Sequence, residues 1–422
     1  MNTTPPTPPT PSAPPAPPKP PRLLSLDMLR GFDMFWIIGG AAVLRALEKW
    51  LPGNPVAAAL ARQVEHAEWQ GFHLYDLIFP LFIFISGVTI ALSLDRSIAK
   101  NGRPRTLLRA LKRSALLFLL GIFYTGGVAG SWADIQYSGV LQLIAMCYML
   151  GALVYCVKPG DWKPPAIAIL VSTLAFLALV HFVSFPDITL DKPHVEAAVK
   201  IAGSRDPARV VATVTARVSG VYDQGRNLSN YLDYRYLPGK KTNAYYVNQG
   251  TLSPVSGCTI IFLGILSGLF LRRRLPPRRA ALILAACGAA AILLALALNP
   301  AIPIIKKLWT PSFCLLTGGA SAILLAAFHL LFDTGTPAAE RRARWAAPFH
   351  WIGMNPITLY ITTAAIISFP QVARRLAGGG VRALFDDIAG KGCGDLVLAL
   401  VSLALVLLFA RFLHNRKIFL SI

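Results

Sequence analysis

Charge is scarce in this chain, and acid scarcer still: 14% of its 422 residues are charged, with 20 Asp and Glu against 41 Lys and Arg. That is too little polarity for a soluble fold of this length. Six cysteines (147, 156, 258, 287, 314 and 393) lack metal-ligand spacing, and five fall in or beside apolar stretches, where a thiol behaves as a small hydrophobe. They imply neither a disulfide framework nor a metal site. Also lacking are a signal-peptide h-region with its cleavage site behind the N terminus and a convincing repeat between the two halves of the chain.

What is abundant is apolar sequence, 55% of residues, gathered in blocks of roughly 20, the length that crosses about 30 Å of hydrocarbon. Ten blocks lie near 25–48, 72–94, 107–126, 138–157, 165–185, 255–271, 280–298, 309–332, 347–368 and 395–413. The fold class expected is an all-α polytopic membrane protein with about ten transmembrane helices. Basic residues concentrate in 96–113, 158–163, 272–279, 340–344 and 411–417, whereas 126–139 holds no Lys or Arg. The positive-inside rule then puts both termini in the cytoplasm. It also accounts for most of the net charge of +21, which faces anionic lipid headgroups rather than nucleic acid.

Residues 1–22 are too rich in proline to pack and are expected to be a disordered cytoplasmic tail, leaving 23–422 as the transmembrane domain. One long loop, about 186–254, falls on the external side, is dense in Tyr and Asn, and is long enough to cover a pocket.

Ionisable residues inside spans usually pair or serve a pathway. In "SLDMLRGFDMFWIIGG" (25–40), Asp27, Arg30 and Asp33 follow at i, i+3 and i+6, along one side of a helix. Either Arg30 pairs with both acids and locks two helices, or it faces an anionic ligand from the cytoplasm. At the opposite face, "HAEWQGFHLYDLIFPLFIFISG" (66–87) places His66, Trp69, His73 and Asp76 on one stripe if the helix starts a turn before the hydrocarbon. A histidine oriented by a carboxylate is a general base or nucleophile near neutral pH. Later, Asn355 precedes Pro356 in a span, where a broken backbone ladder and an amide either line a polar cavity or mark a packing kink. The run "GILSG" (264–268) suits close helix packing, within a protomer or across a homodimer.

These stretches, with "GVLQLIAMCY", "LPGKKTNAYYVNQGTLSPVSGCTIIFLGILSG", "KKLWTPSFCLLTGGASAILLAAFHLLFD" and "WIGMNPITLYI", resemble the transmembrane heparan-α-glucosaminide N-acetyltransferase family and its bacterial relatives, over about residues 22 to 415. The resemblance implies a membrane acyltransferase that moves acetyl from cytoplasmic acetyl-CoA to an amino sugar or glycan on the periplasmic side of a bacterial inner membrane. The family's active histidine, in His-x-x-Trp-x-Gly, matches His66, with Trp69 and Gly71 completing the motif. Its "DLxFPxF" aspartate matches Asp76, its late "NxxxxY" matches Asn355 and Tyr360, and its "DxxRG" matches Asp27 and Arg30. Two departures stand out. No asparagine interrupts "IIGGAAVLRALEKW" (37–50), although Asn54 is near, and Leu143 stands where relatives carry an arginine.

On this reading His66 and Asp76 are catalytic, through an acetyl-imidazole or direct general-base transfer, and Trp69, Asn355 and Tyr360 shape the acceptor pocket. Arg30, Arg103, Arg105 and Arg272 are the candidate contacts for the acetyl-CoA phosphates. The rival expectation is an amino-sugar permease, since ten spans with intramembrane charge suit transport too.

Overall fold

The computed structural model describes residues 23–419, so the Pro-rich segment 1–22 lies outside the described residues. Helix α1 (Leu24–Phe35) passes through a π turn, Trp36–Gly40, into α2 (Ala41–Trp50). Helix α3 (Pro55–Gln63) has proline in its first turn and Asn54 as cap, whose Oδ1 accepts the N–H groups of Val56 (2.9 Å) and Ala57 (3.1 Å). A 3₁₀ turn, Leu74–Leu77, opens α4 (Ile78–Tyr124), which bends at Gly102, where φ is +75°. Then come α5 (Val140–Val157) and α6 (Lys163–Phe182). The long loop carries α7 (Lys192–Ala202), α8 (Pro207–Ala212), α9 (Leu228–Tyr236) and two short antiparallel pairings, Phe185–Pro186 with Arg217–Val218 and Tyr222–Asp223 with Arg226–Asn227.

Three long helices follow: α10 (Ser253–Leu271), α11 (Pro277–Leu298) and α12 (Pro311–Phe332). The chain ends with α13 (Pro337–Trp345), α14 (Ala347–Met354), α15 (Pro356–Ile361), α16 (Phe369–Ala377), α17 (Gly380–Ala389) and α18 (Cys393–Asn415). This is an all-α polytopic membrane protein.

Among the described residues seven helices are long and apolar enough to cross a bilayer, or eight if Pro356–Ile366 and Phe369–Ala377, bent by 62°, form one span. The difference from the ten apolar blocks has physical causes. The second and third blocks share α4 on either side of the Gly102 bend. The first block is helical but carries Asp27, Arg30 and Asp33 at one end and Arg45, Glu48 and Lys49 at the other, too much charge to qualify on composition. The ninth is interrupted at Asn355, whose φ of −136° and ψ of 47° are not helical, because Pro356 follows it.

Glycines bring the helices together. A Cβ on Gly31 of α1 would sit 1.7 Å from the Phe349 carbonyl of α14, and one on Gly353 would sit 1.8 Å from that of Asp27. Only glycine permits this approach, and it fixes which face α1 turns inward. In the same way Gly264 and Gly268 of "GILSG" pack on Phe84 and Val88 of α4, so that small-residue run serves packing inside the protomer.

Contacts between loops define two ends. At one, Gly71 N–H donates to Ile304 (2.9 Å), Trp69 Nε1 to Tyr222 O (2.9 Å) and Trp50 Nε1 to Ala389 O (2.8 Å). At the other, Arg272 pairs with Asp95 (2.5 Å) and Ser25 N–H donates to Asp333 (3.1 Å). The basic segments collect at this second end.

Candidate functional site

The stretch 64–73 is not helical, contrary to the spacing argument that put four residues on one helical stripe. Gly71 adopts φ +112°, Gln70 forms an isolated β-bridge with Ile305, and helix begins only at Leu74. This backbone pairing brings the 299–310 connection, with Lys306, against His66. Asp76 is therefore no mid-span acid. It is the third residue of the first turn, where its Oδ2 accepts the backbone N–H groups of His73 (2.9 Å) and Ala67 (3.3 Å), in a capping box closed by His73. His73 supports Asp76 through its backbone, and its ring turns to the Glu65 carbonyl (3.3 Å).

The other carboxylate oxygen holds the site. Asp76 Oδ1 lies 2.8 Å from His66 Nδ1 and accepts from Lys306 Nζ at 3.0 Å; Lys306 Nζ is also 2.8 Å from His66 Nδ1 and 3.4 Å from Nε2. Asp76 is fully buried, whereas the His66 side chain is 52% exposed. A buried carboxylate with a cation and two backbone donors stays ionised at low cost. Burial, only partly offset by Asp76, holds the pKa of Lys306 below the ordinary lysine value. When Nδ1–H donates to Asp76, Nε2 carries the free lone pair on the exposed edge of the ring. Lys306 belongs to a tight 3₁₀ turn, Lys306–Leu308, followed by Trp309 at φ +55°, a left-handed conformation unusual for a tryptophan, whose ring is fully buried.

His66 and Lys306 lie at one mouth of a cavity of about 510 Å³ within the helical bundle. Its walls include Phe79, Phe82, Ser86 and Thr89 of α4, Met34 and Ile37 reached from α1, Tyr124, and Gln249 from the long loop. The loop thus contributes to the pocket, as its length suggested. Toward the basic end the lining includes Arg30, Arg113 and Tyr148. Arg30 donates to Thr89 Oγ1 (2.5 Å) and pairs with Asp27 (3.3 Å), while both Asp33 oxygens are buried without a hydrogen-bond partner among the described residues. Of the two acids offered to Arg30, only Asp27 takes its hydrogen bond. Arg113 stacks over Tyr148, 4.6 Å from the ring centroid, and its Nε is buried without an acceptor among the described residues.

Of the residues singled out by sequence, His66, Tyr360 and Arg30 line the cavity, and Asp76 orients the first. Trp69 does not line it; its indole ties the long loop to the 64–73 segment through Tyr222. Asn355 is buried and donates to Ile418 O (2.9 Å), holding the C-terminal segment, while its neighbours Met354 and Pro356 reach the cavity. Arg103 and Arg105 are exposed beside the Gly102 bend, and Arg272 is engaged by Asp95 and Tyr155 (3.0 Å). None of these three lines the cavity. Asn54 is spent on its helix cap. Sequence reasoning missed Lys306 and Arg113. The signal for Lys306 was a lysine pair in the short connection between the apolar blocks 280–298 and 309–332, and Arg113 was hidden among charges read as topological.

Residues 22–199 match a family described as a domain of unknown function, DUF5009. The chain is 26% identical to the heparan-alpha-glucosaminide N-acetyltransferase of Mus musculus over 395 residues, 84% of this chain and 56% of that protein. It is 25% identical to the enzyme of that name from Homo sapiens, over 84% of this chain and 55% of that protein. The chain spans about half the length of the curated relatives it matches. The resemblance read from the motifs holds: the chain is a distant relative of these N-acetyltransferases.

Proposed function

We propose that the protein is a transmembrane acetyltransferase of the bacterial inner membrane, moving acetyl from cytoplasmic acetyl-CoA to an amino sugar or glycan amine on the periplasmic side. The observation that carries this reading is the His66–Asp76–Lys306 cluster at one mouth of a cavity whose lining reaches Arg30 and Arg113 toward the basic end. Acetyl-CoA is the acyl donor and a substrate. The lining fits it: guanidinium groups, one with an orphaned buried Nε, suit phosphate oxygens, and the apolar walls of α4 suit a thin pantetheine arm.

In this scheme the amine attacks the thioester carbonyl, His66 Nε2 takes the amine proton and passes it to the CoA thiolate as the C–S bond breaks, and Asp76 fixes the ring and stabilises the transient imidazolium. Lys306 adds positive charge where negative charge develops on the acyl oxygen. Tyr360 shapes the acceptor's side of the cavity, and Trp69 and Asn355 act through the segments they hold.

The test is transfer of radiolabelled acetyl from acetyl-CoA to glucosamine by the purified protein. Transfer that disappears in His66→Ala, with the variant still eluting as a folded species in detergent, is the expected result. Glucosamine accumulation in proteoliposomes without any acetylation would overturn the reading in favour of a permease.

A further inference from the structure

Among the described residues the cavity wall carries one carboxamide, that of Gln249 in the long loop, and the scheme above gives it no task. Gln249 is partly buried, yet among the described residues its Oε1 and Nε2 make no hydrogen bond. Other polar side chains of the wall are engaged. Ser86 donates to Phe82 O (2.9 Å), Thr89 donates to Ile85 O (2.9 Å), and His66 and Lys306 both meet Asp76. An amide that offers two donors and an acceptor to a cavity, with no partner in the fold, suits a polar ligand.

The backbone that carries this amide is, by contrast, closely held. Gln142 of α5, 1% exposed, donates from Nε2 to Gln136 O (3.3 Å), Gln136 Nε2 donates to Ser138 O (2.8 Å), and the Ser138 hydroxyl donates to Gln249 O. On the other side, a Cβ on Gly250 would sit 2.6 Å from Asp233 Oδ2, and the Thr251 N–H donates to Asp233 Oδ1 at 2.7 Å. The point from which the Gln249 side chain enters the cavity is therefore fixed, as a specificity contact requires. The long loop also belongs to the His66 end: its Tyr222 carbonyl accepts from the Trp69 indole, on the 64–73 segment that carries His66.

A hydroxyl both gives and accepts a hydrogen bond, so it matches a carboxamide in either orientation, whereas a simple alkyl amine offers nothing beyond the nitrogen that His66 serves. We propose that Gln249 selects the acceptor by hydrogen-bonding a hydroxyl on the carbon next to the one that bears the amine. The acceptor class is then a vicinal amino alcohol, as in a 2-amino sugar, rather than any amine small enough to enter. In calling the bound molecule the acceptor, the inference rests on the acetyltransferase reading; recognition of the amino alcohol by Gln249 does not.

The test is binding of tritiated glucosamine to the full-length protein in nanodiscs, without acetyl-CoA, displaced by trans-2-aminocyclohexanol or by cyclohexylamine, which lacks only the hydroxyl. The parent protein should prefer the amino alcohol by about tenfold or more, since a site built around a hydroxyl leaves its own amide unpaired when that hydroxyl is missing. Gln249→Leu, of similar size, should bring the two competitors within about threefold of each other. Its thermal unfolding midpoint should match the parent's, because the amide holds nothing in the fold. A merely structural role would weaken both competitors alike and leave their ratio untouched. If Gln249→Leu fails to fold, Gln249→Ala makes the same comparison. Equal displacement by both amines in the parent protein, an unaltered preference in the folded variant, or no saturable glucosamine binding would overturn the proposal. A Gln249-dependent preference in a protein that transfers no acetyl would sink the acetyltransferase reading and leave this one standing. Acetyl transfer whose discrimination between the two amines is indifferent to Gln249→Leu would do the reverse.

Discussion

At one mouth of the cavity a buried carboxylate accepts from an ammonium and an imidazole, and two backbone N–H groups complete it. At the other end of the lining Arg113 leans on a tyrosine ring with its Nε unpaired. The first arrangement is complete without a ligand and fits preorganised chemistry; the second leaves a donor wanting an anion and fits binding. If this contrast is right, substitutions at the His66 end reduce turnover or stability, and those at the arginine end raise KM.

The largest effect should come from the ring itself. His66→Ala should lower kcat for acetyl transfer by on the order of 10³-fold, and Asp76→Asn, which keeps the shape but loses the charge, by about 10². A loss under tenfold in either would break the contrast from the His66 side. Lys306→Met strands the buried Asp76 carboxylate without its cation, a change that costs about 3–5 kcal/mol for a buried pair. That should appear as a marked fall in the thermal unfolding midpoint in detergent, over and above any loss of activity. Arg113→Met should leave that midpoint nearly unchanged and raise the KM for acetyl-CoA by roughly 10- to 100-fold, the worth of a charge-assisted hydrogen bond. Arg272→Met, by comparison, leaves the Asp95 carboxylate with the Tyr155 hydroxyl but without its cation and should alter stability rather than KM.

The membrane-spanning architecture was legible because apolar block length and basic-loop asymmetry are long-range averages that no single residue upsets. The exceptions are local. Gly102, with a non-helical backbone, divides α4 into two helices, one for each apolar block, and Pro356 breaks another. The pair His66 and Asp76 was found, yet by the wrong geometry: the spacing suggested a helical stripe, while Gly71 and the bridge from Gln70 to Ile305 make 64–73 an extended strap. Lys306 was out of reach for the same reason. It meets His66 across 240 positions of sequence, through a backbone pairing between two connections that have no periodicity to betray it. Arg103 and Arg105 lie exposed beside the Gly102 bend, away from the cavity lining.

The smallest effect separates two buried carboxylates at the His66 end. Asp76 has a lysine; Asp233, on α9 in the long loop, is equally buried and among the described residues receives the Thr251 N–H (2.7 Å), the Thr251 hydroxyl (2.8 Å) and the Val247 N–H (3.3 Å). Burial outweighs these hydrogen bonds and pushes its pKa up to about 6, with Lys241 pulling weakly the other way. A carboxyl whose pKa is raised on folding is proton-bound more tightly in the folded state. The stability it contributes is therefore full below the unfolded value near 4 and is lost as pH rises through about 6. Between pH 5 and pH 7.5 the loss is about 1.4 kcal/mol, or about tenfold in the opening equilibrium of this part of the loop. Hydrogen exchange of the 229–251 amides, corrected for intrinsic rates, should quicken by that factor over the interval and lose the pH slope in Asp233→Asn. A slope of the opposite sign, or one that survives the substitution, would mean that Asp233 is held as an ion after all and that the two carboxylates do not differ in kind.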